Sequence, residues 1–297
     1  MSLFKILNSI IIIIFFVYVE INFNNQDKID FLQKENYVIS ENDSSLIKRK
    51  DIALIFAVDD YSNGFEPLKN PINDAKALEK VLKEKYTFNE VELIENPTKS
   101  QILKKLREYS RKTYLDYDQL LIFFSGHGIE DQDYSDKGHI VPVDAYDDDV
   151  FSCIMLNDIM DRVNAIPSPH ILFIVDACFS GKMQNYGAVS RADSNFDFGG
   201  ILYRNKTREE YISTVLNKKS RIFLASGDDK VPDGVSGKHS PFMNKLLETL
   251  NQNQDSVAIN YIDAIYRKLQ FVAASEPIIG NFGDSKPGST FLFFSDY

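Results

Sequence analysis

Cysteine is scarce in this chain: 297 residues contain two, Cys153 and Cys178. That count excludes a disulfide framework, and a chain of this length can bury a core without such staples. Histidine is nearly as scarce, with four copies. Neither cysteine belongs to a C-x-x-C pair and the histidines lack ligand spacing, so no structural zinc is expected. Basic charge is also short: 33 Lys and Arg face 43 Asp and Glu, leaving a net charge of -10. Phosphate backbones need clustered cations, so nucleic acid is excluded as a partner, while a basic peptide remains a suitable one. There is no internal repeat. A nucleotide- or phosphate-binding reading of an α/β fold lacks both a P-loop and a G-x-G-x-x-G run. With 44% hydrophobic residues, the composition suits an ordinary core in one large domain or two small ones.

One long apolar run is present. "MSLFKILNSIIIIIFFVYVEINF" places Lys5 ahead of an unbroken stretch from Ile10 to Val19. With Ile6 and Leu7 it covers much of the ~20 residues that cross a bilayer. Val17, Tyr18, Val19 and Glu20 offer none of the small residues that end a cleaved signal. Residues 1–23 are therefore read as an uncleaved membrane anchor in preference to a signal peptide or a buried helix. Lys5 on one flank and Lys28 and Lys34 on the other leave the orientation open. Residues 24–50, rich in Asn, Asp, Glu, Lys and Ser, read as a polar tether.

From Asp51 onward, short β-rich apolar runs alternate with amphipathic stretches. "IALIFAV" (52–58), "EVELIE" (90–95), "QLLIFFS" (119–125), "ILFIVD" (171–176) and "RIFLAS" (221–226) predict strands. Between them, 73–86 predicts a helix capped by Asn73 or Asp74, Thr98 caps a second, and 156–165 forms a third. Helices near 241–251 and 260–273 follow, and "STFLFF" (289–294) closes the series. This order predicts an α/β fold: a mostly parallel central sheet with helices on both faces, an αβα sandwich.

In such sheets chemistry collects beyond the carboxyl ends of the strands. The third strand ends "FFSGHG" and the fourth "IVDACFSG", which places His127 and Cys178 on one rim if the two strands are neighbours. A free thiol is only slightly ionised at neutral pH, and an adjacent imidazole can take its proton and later protonate a leaving amine. The glycines around His127 let a substrate backbone approach, and the amides of Gly128 and Cys178 could stabilise a tetrahedral oxyanion. Taken singly, a buried cysteine is usually a small hydrophobe and a lone histidine a surface or core residue. Their joint placement on consecutive Gly-rich tips favours a catalytic dyad.

These two motifs resemble those of the caspase–metacaspase family of cysteine peptidases, within the wider clan that includes legumain-like and gingipain-like enzymes. The His-to-Cys separation, 178 − 127 = 51 residues, agrees with the spacing of about 50 seen in caspases. Asp176 stands where animal caspases carry Gln, which is the metacaspase form D-x-C-x-S-G. The resemblance runs from about Asp51 to Tyr297. It implies a caspase-like domain at 51–297, with a larger part (51–186), an activation linker (187–220) and a smaller part (221–297). It implies a cysteine endopeptidase acting through an acyl-enzyme. In the family the residue at the position of Asp176 lines the pocket for the side chain preceding the scissile bond, and an acid there suits Arg or Lys.

"LKNPINDA" (68–75) resembles the metacaspase stretch L-x-G-C-x-N-D-A, whose Asp forms the other wall of that pocket; it maps to Asp74, with Pro71 at the place of the Cys. The competing reading of Asp74 is ordinary helix capping. Ser226 is implied as a backbone contact for extended substrates, and Asp228 and Asp229 read as a solvated loop. No cofactor is expected. Asp147, Asp148 and Asp149 supply hard oxygen donors that calcium would accept, but EF-hand spacing is missing. Arg191, Arg204, Lys206 and Arg208 lie in the linker and would fit self-cleavage. A catalytically silent scaffold of the same fold is the alternative, and oligomeric state stays open, the apolar 289–297 segment suiting a buried edge or a pairing surface.

Overall fold

In a computed structural model, residues 48–131, 133, 137–186, 189–190, 208–252, 259–270 and 276–295 are described. The chain divides into two compact units, Met1–Arg49 and Lys50–Tyr297. Of the first, only Lys48 and Arg49 are described, so the expected anchor at 1–23 and nearly all of the tether lie outside the described residues. Among the described residues no helix is long and apolar enough to cross a membrane.

The second unit is built on a seven-stranded sheet. Its strands are β1 (Asp51–Ala57), β2 (Phe88–Glu95), β3 (Gln119–Ser125), β7 (His170–Asp176), β8 (Val189–Ser190), β9 (Ser220–Ala225) and β11 (Ile278–Asn281), in the order β2-β1-β3-β7-β9-β11-β8. The five strands from β2 to β9 are mutually parallel, β11 runs antiparallel to β9, and β8 antiparallel to β11. β1, β3, β7 and β9 are buried along their whole length, because helices cover both faces. The period-two alternation of strand side chains divides the core in two. Ile52, Leu54 and Phe56, with Leu120, Ile122, Phe124, Ile171 and Phe173, point to one face. Ala53, Ile55, Leu121, Phe123, Leu172 and Ile174 point to the other.

Helix α1 (Pro71–Lys85) covers the second face with Ala75, Leu78 and Leu82, joined by α5 (Pro241–Asn251) and α6 (Ile262–Leu269). Helices α2 (Lys99–Tyr109) and α3 (Leu156–Asn164) cover the first through Ile102, Leu106, Ile159 and Val163. A further helix, α4 (Arg208–Leu216), precedes β9. Thr98 caps α2 as the sequence suggests, in a capping box whose other half is Gln101. α1 departs from expectation. It starts at Pro71, with Asn70 as N-cap and no side-chain cap bond. Proline's fixed φ and missing N–H suit a first helical position, so Asn73 and Asp74 are released from capping.

A small antiparallel sheet of β4 (Gly128–Glu130), β5 (Gly138–Ile140) and β6 (Ile154–Met155) follows the His127 turn. The C-terminal apolar run forms β12 (Leu292–Phe294), which pairs with β10 (Ile259–Tyr261) in a two-stranded sheet of its own. Phe291, Leu292 and Phe293 are buried within the chain, so their side chains do not form an exposed pairing surface.

Candidate active site

The register of β3 and β7 brings the two motifs together. Ser125 pairs with Asp176, so the chain emerges from adjacent tips, two residues short of His127 on one strand and of Cys178 on the other. The turns then touch. A Cβ on Gly128 would sit 2.0 Å from the carbonyl oxygen of Cys178 and 3.2 Å from Cβ of Ala177, so only glycine lets the turns close this far. His127, Gly128 and Cys178 line one open cleft of about 840 Å³. The other charged residues of the cleft are mostly acidic: Glu130, Asp131, Asp133, Asp147 and Asp148, against one cation, Lys230.

His127 is half-buried and held from three sides. Its backbone N–H donates to the Tyr61 hydroxyl at 2.9 Å, and that hydroxyl donates to the Val141 carbonyl at 3.0 Å. The imidazole lies against the rings of Tyr61 and Phe65, with centroids 4.7 Å and 5.8 Å away. Nε2 lies 2.7 Å from the Glu66 carbonyl oxygen. A carbonyl can only accept, so Nε2 carries the hydrogen, and in the neutral ring Nδ1 keeps the lone pair needed by a general base.

Cys178 is partly buried, and its sulfur meets the loop after β9. It accepts from Val231 N–H at 3.4 Å and lies 3.7 Å from the Val231 carbonyl. Burial, with a smaller contribution from the Asp176 charge, pushes the thiol pKa up, which keeps the resting sulfur protonated. The same loop grips the nucleophile turn by its backbone: Phe179 N–H donates to Asp229 O at 3.1 Å and Gly181 N–H to Gly227 O at 2.8 Å. Phe179 itself sits in the left-handed region, φ 57°, directly after the thiol. A non-glycine residue held there costs on the order of 1–2 kcal/mol, which the surrounding bonds offset.

Asp74 and Asp176 also converge. Ser240 joins them: its Oγ donates to Asp176 Oδ2 at 2.6 Å and its N–H to Asp74 Oδ2 at 3.1 Å. The capping reading of Asp74 is thereby corrected, since its carboxyl turns into the interior toward the 239–240 segment. Both acids are nearly sealed, Asp74 at 1% and Asp176 at 6% exposure. Burial chiefly pushes Asp74 up to about 8, with the charges of Asp176 and Asp233 adding to it, and pushes Asp176 up to about 6. Two close, desolvated carboxyls disfavour each other's ionisation, and a cation between them would restore it.

Ser226 lies at the same floor but is fully buried, and its N–H is committed to the Val175 carbonyl at 3.0 Å. It follows β9 directly, one residue past the last pairs that β9 makes with β7 and β11 at Ala225. With its N–H so committed, its carbonyl is the backbone group left to meet an extended substrate. Asp228 and Asp229 line a neighbouring opening with Lys182 and Glu276.

The acidic loop is held by its own backbone contacts. Asp149 accepts from Phe151 N–H and caps a short 3₁₀ turn, and among the described residues no group of three or more His, Cys, Asp or Glu side chains converges as a metal site would. Cys153 is buried core, His139 sits buried in β5, and His170 starts β7. Of the linker cations, Arg191, Arg204 and Lys206 lie outside the described residues, while Arg208 opens α4.

Sequence reasoning missed Tyr61, Glu66, Val231, His239 and Ser240. Glu66 and Val231 act through backbone atoms, which no side-chain motif advertises. Ser240 carried one legible signal, Ser-Pro ahead of an apolar helix, which marks an N-cap.

The family described as Caspase domain matches residues 50–275 of the chain. No curated protein matches it. Among solved structures, the crystal structure of caspase-1 from Spodoptera frugiperda is similar, with a TM-score of 0.51 at 15% identity over 80% of this chain and 87% of that one. At that identity the likeness speaks for the fold.

Proposed function

The chain belongs to the caspase-domain family, a family of cysteine peptidases, and from that premise we propose that it is an endopeptidase with a Cys178–His127 dyad that cuts after arginine or lysine. The observation that carries this reading is the in-register closure of the two tips, with Gly128 against the Cys178 carbonyl and both dyad residues on one cleft.

The chemistry follows from the geometry. Nδ1 of His127 takes the proton of the Cys178 thiol, and the thiolate attacks the scissile carbonyl carbon. The oxygen gains the negative charge, and the amides of Gly128 and Cys178 donate to it. As the carbon–nitrogen bond breaks, the imidazolium returns the proton to the leaving amine. Water, deprotonated by the same imidazole, then hydrolyses the thioester and frees the thiol. The Glu66 carbonyl fixes the ring tautomer throughout. Before the first step, the sulfur must exchange its Val231 partners for the imidazole.

Preference for a basic side chain is supported by Asp74 and Asp176 and by the five carboxylates that line the cleft. Self-cleavage in the 187–220 linker, at its basic residues, would follow from that preference, and the N-terminal run would tether the enzyme to a membrane. No metal enters this scheme.

Incubating the full chain with Arg-, Lys- and Asp-terminated fluorogenic peptides tests the reading. Turnover of the basic peptides is expected to fall at least about 10³-fold in Cys178→Ala and His127→Ala, with circular dichroism unchanged. A wild-type protein that neither turns over any of them nor reacts at Cys178 with a thiol-directed arginyl probe would instead be a silent scaffold.

A further inference from the structure

The acid pocket already has an occupant. Nδ1 of His239 lies 2.5 Å from Asp74 Oδ1, the oxygen opposite the one that Ser240 N–H holds. His239 belongs to a strap, residues 233–240, laid along the N-terminal end of α1. Lys69 N–H donates to Asp233 Oδ2 at 2.7 Å, Asn70 Nδ2 donates to the Asp233 carbonyl at 2.6 Å, and Asn73 Nδ2 donates to the Lys238 carbonyl. Asn70 is fully buried, yet its Oδ1 has no hydrogen-bond partner. In the acid pocket Ser240 serves Asp74 Oδ2 and Asp176 Oδ2, which leaves His239 as the partner of Asp74 Oδ1. The strap turns on Gly234 and Gly237, whose φ values of 88° and 76° are those of glycine, and Val235 between them is 66% exposed. It can lift without breaking apolar packing at its tip.

We propose that His239 is a specificity-determining residue: its imidazole occupies Asp74 in place of the substrate's cation, and the incoming side chain must displace it. This rests on the basic-selecting reading of the pocket and names the competitor within it. A guanidinium suits the exchange best. Its planar fork replaces the donor lost from Asp74 and still presents N–H groups to Asp176, which the single point of an ammonium does less completely. The imidazole is 27% exposed, so the displaced ring has a path outward.

The test separates this claim from the pocket itself. Binding of benzamidine, an aryl amidinium, to the full chain is measured by calorimetry, with kcat and KM for an arginyl peptide alongside. Wild type is expected to bind benzamidine, and Asp176→Asn to lose that binding, which establishes the pocket without reference to His239. His239→Ala and His239→Val, neither of which has a donor for Asp74, are expected to bind benzamidine about fivefold more tightly and to lower KM equally, with kcat unchanged. His239→Asn, whose amide nitrogen stands where Nδ1 does and can still donate to Asp74, is expected to return to wild-type values, which a merely loosened fold would not do. Binding that is unchanged or weaker in both His239→Ala and His239→Val overturns the proposal while leaving the pocket standing. A wild type that binds no benzamidine removes the pocket and this proposal together.

Discussion

The two ends of the central sheet are equally rich in polar side chains and use them in opposite ways. At the N-terminal end, His170 is fully buried, with Nδ1 3.2 Å from Ser220 Oγ and Nε2 3.0 Å from the Leu216 carbonyl. Arg221 is buried there too and donates to the carbonyls of Ile166, Pro169 and Ser220. Gln119 closes the row, donating to Asp51 and Leu292 and accepting from Leu292 N–H. At the C-terminal end, His127 and Cys178 stand half-open on an acidic cleft, and the thiol's partners are long sulfur contacts from a loop. Both ends carry a histidine on a β-tip. What separates scaffold from chemistry is whether each nitrogen already has a permanent partner.

The strongest way to break that contrast is to push the open end apart. Gly128→Ala places a methyl against the Cys178 carbonyl and forces the turns apart, so kcat/KM per folded molecule is expected to fall about 10²- to 10³-fold, with a lowered melting temperature alongside. Full activity in that variant would mean the turns are not held this closely in the working enzyme. A smaller effect, and of the other kind, is expected at the closed end. Arg221→Met removes the guanidinium donors to the Ile166, Pro169 and Ser220 carbonyls, of which Pro169 keeps the Ser220 N–H, and should cost about 2–4 kcal/mol in denaturant unfolding. Activity per folded molecule should stay as it was; a loss of kcat would give the closed end a role in chemistry.

The smallest effect sharpens the comparison by pH. Asp74 and Asp176 are raised to about 8 and about 6, above the ~4 of an unfolded aspartate. The fold therefore favours their neutral forms, so this stabilisation is complete below about pH 4 and is lost as pH rises from there through 6 and then 8. The melting temperature of the ligand-free protein should fall across that interval, and less so in an Asp74→Asn/Asp176→Asn double variant. Bound cations reverse the preference, so KM for an arginyl peptide should fall over the same range. A melting temperature that rises from pH 6 to 9 in wild type alone would contradict the buried, neutral pair.

Much of this was legible before any coordinates. The continuous apolar runs marked the buried parallel strands, and the two tip motifs marked the turns that meet at the cleft, because both signals are local. Apart from β12, the antiparallel strands were not legible. Val189–Ser190, Gly128–Glu130 and Ile154–Met155 are two or three residues long, too short for any periodicity to register. Asp74 was legible as a residue but not as a geometry: Asn-Asp before a helix is ordinary capping chemistry until Pro71 is seen to take the first helical position. The carbonyl of Glu66 and both backbone groups of Val231 are invisible to any reading of side chains. His239 was passed over because its partner lies 165 residues away in sequence.

The position of β9 has a consequence for a chain cut in its linker. β9 is hydrogen-bonded on one side to β7, along the pairs from His170–Ser220 to Val175–Ala225, and on the other to β11. A nick between β7 and β9 would release nothing, and the two pieces would travel as one particle through a sizing column. Once unfolded, however, they would have to find each other by collision, so recovery would depend on concentration for the nicked protein and not for the intact one.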